Sequence, residues 1–107
     1  MTVKYWTIEE ATGYRPQTTF YSDFSIAERF GENAIRYRFE WALDWRKNVI
    51  FMTELVMVLN WKIWEHYKTN EPFARLYSEL YERAYEIAEE NFDEEGLKYF
   101  YRTIEQN

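Results

Sequence analysis

The run from Val49 to Tyr67, VIFMTELVMVLNWKIWEHY, constrains the fold more than any other part of the chain. Its first eleven residues hold nine apolar ones, interrupted only by Thr53 and Glu54. A helix lying on a protein surface is apolar along one stripe, whereas a helix apolar nearly all round needs neighbours on several sides. The run therefore reads as the central helix, about 49–67, of a small all-α domain. It is too short to cross a bilayer before Asn60, Lys62, Glu65 and Lys68 follow, so no membrane role is expected.

The flanking sequence punctuates further helices. Thr7 can cap a very short helix with Glu10 in capping-box position, and Gly13 can take the left-handed stop. Tyr14 to Phe20 reads as an extended arm, because Pro16 biases Arg15 out of the helical region and Thr18, Thr19 and Phe20 favour extended backbone. Ser22 or Asp23 can cap a two-turn helix over 24–30, which Gly31 ends. Over 33–46, Ile35, Phe39 and Ala42 form one stripe, and Tyr37, Trp41 and Trp45 form a second that is expected in the core or against a neighbouring helix. Asn70 and Pro72 open the next helix, 72–91, with Phe73, Leu76, Leu80, Ala84 and Ile87 on one face. The spacing on its other face predicts Arg75–Glu79 and Glu79–Arg83 pairs. Asp93 caps a last helix with Leu97, Phe100, Tyr101 and Ile104 inward, its first turn weakened by Gly96.

These elements predict one domain over 1–107: a bundle of four main helices around the central one, which packs against its neighbours on both sides in sequence. Residues 1–21 form the short helix and arm, and 22–107 the helical core. Three glycines and two prolines in 107 residues argue against a turn-rich β fold. No basic region precedes a long apolar run at the N-terminus, so no signal peptide is expected and the location reads as cytoplasmic.

The chemistry that is missing narrows the function. There is no cysteine, no phosphate-cradling glycine loop and no nucleophile elbow. His66 is the single histidine and reads as a packing or boundary residue, with Glu65 beside it directed elsewhere on the helix. Glu-x-x-His is absent, and Glu82, Glu86 and Glu90 lie opposite an apolar stripe, so no metal site, no cofactor and no catalytic residue are expected. The net charge is −6, and the acidic surplus falls in 48–107. An acidic chain repels phosphate, so direct nucleic-acid binding is not expected.

Two surfaces remain. Projecting the central helix puts Glu54, Trp61, Glu65 and Lys68 near one line with Met57 and Val58 beside it, a candidate contact strip anchored on Trp61 if that line is open. Tyr77, Tyr81 and Tyr85 can extend it. The second is the acidic segment 71–95, in which Glu82, Glu86 and Glu90 recur four apart; its simplest role is a solvated face. The candidate interaction residues are therefore Trp61, Glu65, Tyr81, Glu82, Glu86 and Glu90.

Two segments carry a resemblance: Thr18 to Gly31 (TTFYSDFSIAERFG), and Thr53 to Asn60 (TELVMVLN) running through Ile63-Trp64 to Asn70-Glu71-Pro72. The chain resembles small all-helical proteins carried on conjugative and integrative elements of gut Firmicutes. The resemblance implies a cytoplasmic accessory protein of a mobile element and assigns no active residues. The expected function is a non-enzymatic protein–protein interaction, with a protein partner or a second copy of the chain. The alternative is an acidic decoy that inhibits a host nucleic-acid-binding defence protein.

Overall fold

The structure, a computed structural model, describes residues 6–13 and 19–105. Among these it is all-helical and contains no strand: α1 (Ile8–Gly13), α2 (Phe20–Glu28), α3 (Glu32–Ala42), α4 (Val49–His66), α5 (Glu71–Asn91) and α6 (Glu94–Glu105), with a 3-10 turn at Leu43–Trp45. The expected arm, apart from Thr19 and Phe20, lies outside the described residues.

Capping follows the sequence at Thr7, Asn70 and Asp93, and Asn48 adds a fourth cap. The Thr7 hydroxyl accepts the Glu10 amide at the start of α1. Asn48 and Asn70 accept the amides of Phe51 and Phe73 at the starts of α4 and α5. Asp93 accepts the Gly96 amide at 2.8 Å before α6. Gly31 has φ 104°, the left-handed region that separates α2 from α3. Gly13 shows no positive φ and stays in α1, contrary to the stop expected there.

The helix expected over 24–30 starts four residues earlier. Thr19 sits in extended geometry without a side-chain cap, and Phe20 already belongs to α2. Burial supplies the reason: Phe20, Phe24 and Ala27, at i, i+4 and i+7, all enter the core, and a helix beginning at Phe24 would leave Phe20 out of register with them. The helix expected over 33–46 breaks at Ala42 into the 3-10 turn.

α4 is the hub. It packs on α5 above all, and also on α6, α1 and α2. Its predecessor α3 packs mainly on α2 and α5, and the 3-10 turn that follows it brings Trp45 to Phe51 of α4, with ring centroids 6.0 Å apart. Val49 to Thr53, Leu55, Val56, Val58 and Leu59 are buried. The polar members of this half are satisfied locally: the Thr53 hydroxyl donates to the Val49 carbonyl, and buried Asn48 caps the helix while its amide reaches the Ala11 carbonyl. α6 closes over the start of α4 at Gly96, where a Cβ would stand 3.2 Å from the Cβ of Phe92 and 3.6 Å from Val49. Gly96 thus permits a close approach that the helix-propensity argument alone does not reveal.

Two surface expectations change. Tyr37 is 76% exposed, whereas Trp41 and Trp45 pack against the core, so the aromatic stripe of α3 is only partly interior. The pairs expected along α5 are replaced: Glu79 bonds Arg36 of α3, Arg83 bonds Glu40 of α3, and Arg75 pairs one turn back with Glu71 instead of with Glu79.

Candidate functional site

The C-terminal half of α4 carries two arrangements on different sides. The first is a polar junction inside the protein. α2 presents Tyr21, Ser25 and Glu28 at i, i+4 and i+7, which is one helical face. α4 presents Lys62, Glu65 and His66 at i, i+3 and i+4, and α5 contributes Tyr77.

At the centre is Lys62, whose residue exposure is 0%. Its ammonium donates to Ser25 Oγ at 2.6 Å and Glu65 Oε2 at 2.8 Å, and pairs with Glu28 Oε2 at 3.1 Å. The Tyr21 ring covers it, with Nζ 4.2 Å from the ring centroid, and the Tyr21 hydroxyl donates to Glu65. An ammonium has three protons, and three oxygens face this one. Glu28 Oε2 also accepts the Tyr77 hydroxyl at 2.6 Å and lies 2.8 Å from His66 Nε2. His66 Nε2 is 3.1 Å from Glu65 Oε2, and the imidazole stacks on Tyr77 with centroids 5.8 Å apart.

The electrostatics follow from these contacts. Burial alone pushes the Glu65 carboxyl up, but hydrogen bonds from Lys62 and Tyr21 and the nearby positive charge outweigh it and hold the group below its ordinary value. The bond to Glu65, reinforced by burial, raises the Tyr21 hydroxyl. Burial, then the bond to Glu28, drives the Tyr77 hydroxyl far above its ordinary range. Every buried side-chain polar atom among the described residues has a partner.

Glu28, Glu65 and His66 bring three potential metal-ligand atoms within 4.8 Å of one another. Lys62 decides against a divalent cation there. Its ammonium already holds the same two carboxylates, and a dication bound by Glu28 Oε2 and Glu65 Oε2 would stand close to it. At that separation the repulsion is on the order of several kcal/mol even with an effective dielectric near 20. Lys62 is enclosed and cannot swing away. The junction is best read as an internally paired clasp that joins α2 to α4 and α5.

The second arrangement is the open side of the same half-helix. Trp61 is 45% exposed, Trp64 65% and Tyr67 53%, and Trp64 and Tyr67 meet edge to face. Thr19, Phe20, Tyr21, Glu54, Met57, Val58 and Trp61 line an adjoining groove of about 260 Å³ between the start of α2 and α4.

The six expected interaction residues thus separate. Trp61 is open, as the helical projection allowed. Glu65 leaves the wet line and serves the junction, because its long side chain bends back to the buried ammonium. The same bending brings it to His66, which corrects the reading that adjacent positions direct these two side chains apart. Tyr81 is half-buried beside Tyr85. Glu82, Glu86 and Glu90 are exposed and carry no ion pair among the described residues, while Glu71 and Glu79 of the same helix are paired. Nothing directs a ligand to this acidic row.

The sequence does hold the signal for the junction. Lys62, Glu65 and His66 interrupt the most apolar helix on one face, and Tyr21, Ser25 and Glu28 share a face of α2 beside the stripe of Phe20, Phe24 and Ala27. Trp64, more exposed than Trp61, was also legible, three residues on along the same strip.

The chain matches no protein-family model, and comparison with curated proteins and with solved structures gives no significant match either.

Proposed function

We propose that this chain is a non-enzymatic protein–protein interaction module whose contact surface is the open face of α4 around Trp61 and Trp64. One observation carries the reading: two indoles on a single helix are largely open to solvent beside an apolar groove, whereas the polar groups nearby are paired internally. Exposed Trp clustered with a pocket is the arrangement that anchors interfaces. The occupant this face suits is an amphipathic helix laid along α4 with one side chain in the groove. The clasp at Lys62 gives the face a rigid base, since it fixes α2, which forms one groove wall, against α4. The resemblance to mobile-element proteins suggests that the partner is encoded with it.

The test is site-specific photo-crosslinking in the cell that makes the protein. p-Benzoylphenylalanine replaces Trp61, Trp64, Tyr37 or Glu86 in turn. Discrete adducts at 61 and 64, with none at equally exposed position 37, are the expected result. Adducts at position 86 alone, lost steeply with salt, would replace this reading with the acidic-decoy alternative. Absence of position-specific adducts would overturn both.

A further inference from the structure

We propose that the cavity beside the 3-10 turn binds a small zwitterion, one that carries a quaternary ammonium group close to a carboxylate. The site stands apart from the open face of α4 and does not depend on that face's role.

The cavity measures about 510 Å³, within the roughly 300–1,000 Å³ of small-molecule sites. Three of the chain's five indoles, Trp6, Trp41 and Trp45, line it. Trp41 lies in the last turn of α3 and Trp45 follows four residues on, in the 3-10 turn. Trp6 joins them from far away in the chain because its backbone amide donates to the Lys47 carbonyl at 2.8 Å. All three are half-buried, so each keeps some open surface. Two of the walls are held from behind. Trp45 rests on Phe51, with centroids 6.0 Å apart, and the Arg38 guanidinium stands 4.1 Å from the Trp41 ring centroid. Neither Phe51 nor Arg38 lines the cavity, so both sit on the far sides of those rings. Arg38 is paired with Asp23, which offsets its charge behind Trp41. Wholly buried Asn48 also lines the cavity, and its side chain is bonded to the Phe51 amide and the Ala11 carbonyl.

Indole faces attract cations through the ring quadrupole. A primary ammonium brings three N–H donors, which indole walls leave without acceptors. A quaternary ammonium has none, and its methyl groups suit apolar walls. Two charged side chains complete the lining: Asp44 and Lys47, both exposed and neither in an ion pair among the described residues. A plain cation would suit the indoles and Asp44 but be repelled by Lys47. A ligand with an anionic group beside its ammonium answers both charges.

Isothermal titration calorimetry with glycine betaine tests the assignment, against two controls. In 3,3-dimethylbutyrate a carbon replaces the quaternary nitrogen, so shape and carboxylate are kept and the positive charge is lost. It is expected to bind about tenfold more weakly or worse. Choline keeps the cation but lacks the carboxylate. It is expected to bind more weakly than betaine, and Lys47→Gln to narrow that difference. Trp41→Leu keeps an apolar wall without the ring and is expected to weaken betaine binding about tenfold, while Trp61→Leu, outside the cavity, leaves it unchanged. Circular dichroism checks that both variants fold; the ligand comparison on the wild-type chain stands without them. Equal binding of betaine and its carbon isostere would overturn the proposal, as would choline binding as tightly as betaine. So would the absence of saturable betaine binding.

Discussion

From Val49 to Leu59, α4 is enclosed by apolar side chains, and its buried polar groups bond within their own helix turn or to α1. From Asn60 to His66 the same helix turns a lysine, a glutamate and a histidine inward and indoles outward. The first half is held by packing, which is non-directional and tolerant of the neighbour's identity. The second half is held by charge, which demands a named partner for each group. One helix thus serves as core at one end and as the frame of a surface at the other.

The sharpest way to break that comparison is Lys62→Ala. It leaves Glu28 and Glu65 facing each other in a largely dry junction without their counter-ion. Loss of about 3–5 kcal/mol is expected, measured by chemical unfolding. Lys62→Met keeps most of the volume but not the charge, and is expected to recover little. Near-complete recovery by Met would show that this half is also held by packing, and the contrast would collapse.

Leu55→Ala probes the other half. Leu55 is wholly buried in α4, so its truncation is expected to cost about 2–5 kcal/mol through lost transfer energy and the cavity left behind. The cost should be nearly independent of pH, because no titratable group is involved. Near-neutral melting would remove the central-helix description altogether.

Acid gives a smaller effect that should fall on one half only. The Glu65 carboxyl is held below its ordinary value in the folded chain, against about 4.3 when unfolded. Its contribution is therefore fully present above the unfolded value and is lost as pH falls through the lower folded value. Unfolding measured from neutral to acid pH should show this decline, and Glu65→Gln should flatten it. A profile identical for Glu65→Gln and wild type would remove Glu65 from the clasp.

How much of this was legible in the sequence follows the same division. The enclosed half declares itself through its own composition, and the caps at Thr7, Asn70 and Asp93 are local enough to read from neighbouring residues. The clasp is not local. Glu28 and His66 are 38 residues apart and meet at 2.8 Å only because α2 crosses α4 near its end. Periodicity assigns a residue to a face but does not say what covers that face. For the same reason Glu79 and Arg83 were matched along their own helix, while the structure matches them to α3. The open strip was half legible: projection found the line through Trp61 and could have been carried to Trp64, but only the fold shows that Glu65 leaves it.

The smallest expected effect concerns that open strip. If Trp64 serves a surface and not the core, Trp64→Ala should change the unfolding free energy of the isolated monomer by no more than about 0.5 kcal/mol, as surface substitutions do. The measurement must be made on the purified chain without a partner, because a partner that binds only the folded chain adds to its apparent stability. A large loss would mean that Trp64 stabilises its own chain. The outer side of α4 would then be core like the rest of the helix, and the difference between its two halves would reduce to the clasp alone.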